Sequence, residues 1–397
     1  MSFSQRRSVH TLLAAIDRRL VAQRLLGSRS ELCCIVTRHF SSANGGSPSP
    51  PPVSAAAAAA AAAGGGGVAG GGDTSSSDPS PAAKQYSVET SEKLDPPILT
   101  WVDQVVPSNL RPYARLARMD KPIGTWLLLW PCWWSTALAA TPGSPPDLSL
   151  LTLFGVGAFV MRGAGCTIND IWDQDLDARV ARTAARPLAS GDLTQTQAIG
   201  FLAAQLTTGL GVLVSLPHTM YCVQWGVASL PLVVIYPLMK RYTGYPQAVL
   251  GMTFNWGAIM GWAAVHGSVY TPAVLPLYLS GVAWTMVYDT LYAHQDKDDD
   301  KQVGVYSTAL TFGDENTKPV LQGFALATYC LWLAAAQNGD VLTGVVPWAG
   351  LTAAYGHLVW QIESAELDNP KNLADRFRSN HTVGSIVFAS IVAGNFL

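Results

Sequence analysis

Charge is scarce in this chain. Asp, Glu, Lys and Arg make up 13% of its 397 residues, about half the ~25% usual in soluble domains. Together with 49% apolar residues, that deficit argues against a large soluble core. Cysteine is sparse as well. Cys33, Cys34, Cys132, Cys166, Cys222 and Cys330 include no CxxC pair, which removes the usual zinc and thiol-redox spacings. The last four lie in apolar segments and read as small buried residues. The seven histidines are scattered without metal-ligand spacing. Net charge is -2 and no basic patch with interleaved aromatics occurs, so nothing points to nucleic acid.

The N-terminal hundred residues have a different character. Residues 1–42 carry Arg6, Arg7, Arg18, Arg19, Arg24, Arg29 and Arg38 against only Asp17 and Glu31. Leu12, Leu13, Ile16 and Leu20 fall at helical spacing, and serines follow. This is the pattern of an organellar transit peptide, mitochondrial in preference to plastid. Residues 43–93 contain a proline cluster, an alanine run and glycines. They can bury no core and read as a disordered linker. The folded part is residues 94–397.

Apolar segments recur near 124–140, 149–170, 194–216, 221–239, 246–265, 272–293, 321–337, 341–361 and 382–397. Several are near the lower limit of ~17 residues for a membrane span. The connections alternate in charge. Before the first segment stand Arg115, Arg118 and Lys121, and every second loop is basic: Arg179, Arg182 and Arg186; Lys240 and Arg241; Lys297, Lys301 and Lys318; Lys371, Arg376 and Arg378. The intervening loops hold no Lys or Arg. This is a positive-inside pattern. The expected fold is all-α, a polytopic membrane bundle of about nine transmembrane helices. In a mitochondrial inner membrane the basic side faces the matrix.

Acidic residues gather on that same side. Between Leu148 and Ile168 the only charge is Arg162, and then NDIWDQDLD arrives at 169–177. Asp170, Asp173 and Asp177 are spaced i, i+3, i+7 and share one helical face. The sixth segment ends in YDTLYAHQDKDDD at 288–300, where Asp296 and Asp300 are i, i+4 and Asp289 lies two turns earlier on nearly the same stripe. Acids gathered at a membrane boundary need cations. Two facing sets of carboxylates can hold Mg2+ ions, and a diphosphate can bridge those ions with Lys and Arg around it. Asp175, Asp298 and Asp299 are left to solvent. A cation transporter or channel is the rival reading; it predicts acids at mid-bilayer or on both faces.

These blocks resemble the membrane aromatic prenyltransferases. NDxxDxxxD at 169–177 and DxxxD at 296–300 are similar to that family's two aspartate motifs. YARLARMDKPIG at 113–124, LLLWP at 127–131, RT at 182–183, RPLASG at 186–191, YPLMKR at 236–241, residues 246–256 and Ser307-Thr308 are similar to its 4-hydroxybenzoate polyprenyltransferases. Tyr306 departs from the pattern, since that family usually has Lys there.

The resemblance implies transfer of a polyprenyl chain from polyprenyl diphosphate to position 3 of 4-hydroxybenzoate. The route is Mg2+-dependent ionisation to an allylic cation, in ubiquinone synthesis at the matrix face of the inner membrane. Homogentisate, haem or a chlorophyll precursor are other acceptors of the same class. Association with other ubiquinone-pathway enzymes is a further implication.

Candidate metal ligands are Asp170, Asp173, Asp177, Asp296 and Asp300, with Asn169 assisting at the diphosphate. Arg118, Lys121, Arg179, Arg182, Lys240 and Arg241 are either diphosphate ligands or topology anchors. Arg162 is either the anchor of the acceptor's carboxylate or a structural partner of an Asp. Asp289 is either a base assisting the phenol or the partner of Arg162. Trp126, Trp130, Trp133 and Trp134 read as packing residues, and Gly163 and Gly165 as points of close helix approach.

Overall fold

The computed structural model describes residues 100–179 and 183–396. The segments read as transit peptide (1–42) and linker (43–93), and Arg182, lie outside the described residues. Among the described residues all regular structure is helical. Two short helices, α1 (Trp101–Val105) and α2 (Arg111–Leu116), precede α3 (Ile123–Leu138), α4 (Leu148–Asp177), α5 (Gln195–Ser215) and α6 (Thr219–Ile235). A 3-10 segment, Tyr236–Arg241, leads to α7 (Pro246–Phe254) and α8 (Gly257–His266). Then come α9 (Thr271–Ala293), the 3-10 turn His294–Asp296, α10 (Lys297–Val303), α11 (Thr308–Asn338), α12 (Val345–Glu363) and α13 (Pro370–Phe396).

Local chemistry sets the ends. The Asp147 carboxylate accepts from the amides of Ser149 and Leu150 at 2.7 and 3.4 Å and starts α4. No proline interrupts α4, so it runs for 30 residues, roughly 45 Å at 1.5 Å per residue. Thr194 and Gln197 form a capping box that starts α5. Between α7 and α8 the side chain of Asn255 donates to Gly251 O and Thr285 Oγ1, both at 2.9 Å. Such side-chain bonds compete with the helical ladder, and the helix breaks there.

Each of the nine apolar segments falls on a helix or a broken pair of helices, with differences at the ends. The fifth is two helices, α7 and α8. The sixth does not continue to Asp300: the 3-10 turn separates Asp289 on α9 from Asp300 on α10. The seventh begins at Thr308, where the Ser307 hydroxyl accepts from Leu310 N, and bends at Gly313, whose φ is 68°. Its first turns are polar, so apolar content conceals them. Lys318 and Lys371, Arg376 and Arg378 therefore stand on α11 and α13 instead of in loops. Five helical runs combine the length and hydropathy of a bilayer crossing: Leu148–Asp177, Gln195–Ser215, Thr219–Arg241, Pro246–His266 and Thr308–Asn338.

The helices pack in chain order, α3 on α4, α4 on α5, α5 on α6, and onward to α13, which returns to α3. Close approach depends on small residues. A Cβ at Gly261 of α8 would fall 2.6 Å from Cys132 O of α3, and one at Gly163 of α4 would fall 2.6 Å from Gln205 of α5. Gly165 faces open space, contrary to expectation. Trp134, Trp284 and Trp332 are fully buried at the centre. Two of them satisfy their indole N–H: Trp134 donates to Gly384 O at 2.9 Å and Trp284 to Asn380 Oδ1 at 2.8 Å. That meets the need of a buried indole for a partner. Cys132, Cys166 and Cys222 are buried as expected, whereas Cys330 is exposed. On α5 and α6, Leu206, Leu210, Val214, Val227, Leu230 and Val234 are exposed, a surface suited to hydrocarbon.

Candidate active site

The last two turns of α4 bury Asp170, Asp173 and Asp177 to 1, 0 and 6% exposure, while Asp175 between them is exposed. The buried three are neutralised by cations brought from elsewhere in the chain. Arg118 Nη2 donates to both oxygens of Asp170 at 2.8 and 2.9 Å. Arg186 Nη1 reaches Asp177 Oδ2 at 2.6 Å and Asp170 Oδ1 at 3.2 Å. Lys240 Nζ reaches Asp173 Oδ2 at 2.5 Å, and Arg241 Nη2 reaches Oδ1 at 3.3 Å. Arg118 holds a left-handed backbone, φ 55°, a conformation a non-glycine residue keeps only where its surroundings impose it. Burial opposes the charge on Arg118, but Asp170 beside it outweighs this and holds the guanidinium pKa above its usual value.

The second motif faces the first across two adjoining cavities of about 110 and 270 Å³. Asn169, Lys240, Asp296, Asp300 and Val305 line both. Asp177, Thr183 and Arg186 contribute to the smaller one, and Tyr236, Gln247, Asp289, Tyr292 and Tyr306 to the larger. The structure thus brings together Asn169, Asp177, Lys240, Asp289, Asp296 and Asp300. Asp170 and Asp173 line neither cavity and stand behind Arg186 and Lys240, which do. Lys121 and Arg179 are exposed and line neither.

The acidic donors are all oxygens, the set that hard divalent cations take. Among the described residues, however, no three acidic, His or Cys side chains form a ready metal cluster. The physical reason is the ion pairing: the first-motif carboxylates are held by Arg118, Arg186, Lys240 and Arg241. A metal entering here must displace those cations. Arg186 and Lys240, which line the cavity, would then be within reach of an anionic ligand. The residues fit Mg2+ in donor type and placement, with this exchange as the condition.

Arg162 lies two turns deeper on α4. Its Nη1 lies 2.7 Å from Cys166 Sγ, and its guanidinium stands 5.6 Å from the Phe254 ring centre. Its Nε is buried and has no hydrogen-bond partner. Among the described residues its side chain contacts Cys166 and Phe254. Gly124 makes room for it: a Cβ there would fall 2.2 Å from Nε.

Arg186, Thr183 and Gln247 were not singled out from the sequence as site residues. Arg186 bridges two of the acids, and its one available signal was its place in the RPLASG block, where it read only as a basic loop residue. The Thr183 hydroxyl donates to Asp177 O at 2.9 Å and holds the loop end of α4. Gln247 accepts from the Thr308 amide at 3.1 Å. Tyr306 donates its amide to Lys240 O at 2.7 Å, so the residue that departs from the family pattern still ties its loop to the first motif's cation.

A family profile described as UbiA prenyltransferase matches residues 128–391. The mitochondrial 4-hydroxybenzoate polyprenyltransferase of Arabidopsis thaliana is 55% identical over 295 residues, covering 74% of this chain and 71% of that protein. Among solved structures, the apo form of a UbiA homologue from Aeropyrum pernix K1 superposes with a TM-score of 0.58 at 22% identity, over 68% of this chain and 96% of that one. A UbiA homologue from Archaeoglobus fulgidus bound to GPP and Mg2+ gives 0.51 at 14%, over 72 and 100%. An all-helical bundle, two facing acidic motifs at one end and a family match over most of the folded part lead to one statement: the chain belongs to the UbiA prenyltransferase family.

Proposed function

We propose that this prenyltransferase moves a polyprenyl chain from its diphosphate to the ring carbon ortho to the hydroxyl of 4-hydroxybenzoate, the acceptor named for its relatives. The observation that carries the reading is the shared cavity. Asn169 and Asp177 from one motif and Asp296 and Asp300 from the other line it, with Lys240 and Arg186 between. A diphosphate needs such a mixture of metal-binding oxygens and fixed cations. Asp170, Asp173, Asp177, Asp296 and Asp300 would hold Mg2+, which would supply the charge neutralisation that makes diphosphate a leaving group; the Archaeoglobus fulgidus homologue is bound to GPP and Mg2+.

The remaining steps fall to side chains. Lys240 and Arg186 on the cavity wall, with Arg118 and Arg241 behind them, would hold phosphate oxygens, with Asn169 donating from the same wall; Lys121, Arg179 and Arg182 are further candidate diphosphate ligands. Cleavage of the C–O bond leaves the electron pair on diphosphate and an allylic cation on the chain. Arg162, with Nε unpartnered, holds the acceptor's carboxylate through a planar fork. Asp289, on the wall of the larger cavity, accepts a hydrogen bond from the phenol as the ring carbon attacks; the ring proton then passes to the released diphosphate, and the ring regains aromaticity.

The chain is read as nine spans of a mitochondrial inner membrane with the site on the matrix face, preceded by a transit peptide and linker. Its product would feed ubiquinone synthesis, where contact with enzymes of the same route is a corollary. The test is a membrane assay with labelled 4-hydroxybenzoate, a long prenyl diphosphate and Mg2+. Product is expected from wild type and not from Asp173→Ala plus Asp177→Ala. Absence of product from wild type, or full activity in the double variant, overturns the reading.

A further inference from the structure

The second motif stands on little structure of its own. Asp300 lies on α10, a helix of seven residues, too short to be stable alone, and Asp296, the last residue of the 3-10 turn, stands at its N-cap position without a side-chain cap bond. Asp296, Asp298, Asp299 and Asp300 crowd this turn, and contacts from outside α10 orient it.

We propose that Lys297 is the positioning residue that fixes it, by clamping the motif to two separate parts of the bundle. This rests on the function proposed above. Lys297 Nζ contacts Asp314 Oδ1 and Oδ2 at 3.0 and 2.8 Å and Asp368 Oδ1 at 2.9 Å. An ammonium has three donors, and all three are committed. Asp314 follows the bend at Gly313 on α11, and Asp368 lies in the connection from α12 to α13. The same α11 turn receives His294, whose Nε2 is 3.1 Å from Thr317 Oγ1 and whose Nδ1 is 3.4 Å from Asp314. Lys297 lines neither cavity, so it aims the motif without touching the diphosphate. Asp314 and Asp368 are 56 and 88% exposed. Ion pairs of that kind add little to global stability, so removing this one should disturb orientation more than folding.

The test uses the full chain in detergent, with Mn2+ titrated in the presence of inorganic pyrophosphate and followed by electron paramagnetic resonance. Lys297→Met should weaken Mn2+ binding about tenfold (roughly 1.4 kcal/mol) with an unchanged melting temperature, and Lys297→Arg should restore most of it. Asp314→Asn plus Asp368→Asn should give the same loss, with no further loss when combined with Lys297→Met. Wild-type Mn2+ affinity in Lys297→Met overturns the proposal. So does a loss accompanied by a collapse in melting temperature that Arg does not rescue, since that marks a merely structural role. If wild type binds no Mn2+ with pyrophosphate, the metal site itself falls first and the clamp with it.

Discussion

Nζ of Lys240 lies 2.5 Å from Oδ2 of Asp173, a carboxylate with no exposed surface. A buried charge that loses such a partner keeps its desolvation penalty without the compensating bond. Lys240→Met should therefore destabilise the protein by about 1.5–3 kcal/mol, the range for hydrogen bonds to charged groups. Adding Asp173→Asn should recover part of that. Thermal unfolding of the four members of this cycle measures it; an unchanged Lys240→Met would show that Arg241 alone is sufficient.

Arg186 spans two acids seven residues apart with one guanidinium nitrogen, at 2.6 and 3.2 Å. A lysine ammonium offers no planar fork for phosphate. Arg186→Lys should lower kcat/KM for the prenyl diphosphate about 10- to 100-fold, the equivalent of one or two charged contacts. The constant for 4-hydroxybenzoate should move far less. Steady-state kinetics with each substrate varied in turn decides this.

Arg162 and Gly124 should fail together. Arg162→Ala removes the proposed carboxylate anchor, and Gly124→Ala pushes a methyl group into the place its Nε occupies. Both should raise the KM for 4-hydroxybenzoate more than that for prenyl diphosphate. Both should also lose the preference for 4-hydroxybenzoate over its methyl ester. Equal effects on the two substrates would assign Arg162 a packing role.

Reporter tags placed at Gly267, after α8, and at Gly304, after α10, should report opposite sides of the membrane. Agreement between them would break the nine-span arrangement.

Burial lowers the His294 pKa below its ordinary value of 6.5, although Asp314 pulls the other way. The folded protein thus binds this proton less readily than the unfolded chain. Its contribution to stability is present above pH 6.5 and is lost as pH falls below it. Melting temperature should drop between pH 7 and pH 5 more steeply in wild type than in His294→Gln, which carries no titrating ring. Parallel curves would remove His294 as a source of the slope.

The acidic face of α4 was legible because a helix repeats every 3.6 residues: Asp170, Asp173 and Asp177 are buried and Asp175 is not. The charge alternation in the loops likewise placed both motifs at one end. What stayed hidden was hidden for physical reasons. Asn255 and the turn His294–Asp296 interrupt helices through tertiary hydrogen bonds, which leave no local periodicity to read. The start of α11 at Thr308 is polar and escapes any search for apolar runs. Arg186 acts through a loop that brings it back over α4, and basic residues in loops look alike until their acids are in view.

Helix α4 is about 45 Å long by its residue count, against some 30 Å of hydrocarbon in a bilayer. A helix of that length extends past the hydrocarbon and carries its carboxylates into the polar layer at one end, while its middle turns lie among lipid tails. An amphiphilic substrate would meet both zones without leaving its leaflet. Encounter is then a two-dimensional search, and the concentration that governs turnover is the substrate's mole fraction in the lipid. Diluting a fixed amount of prenyl diphosphate into more membrane should slow the reaction even though nothing in the water has changed.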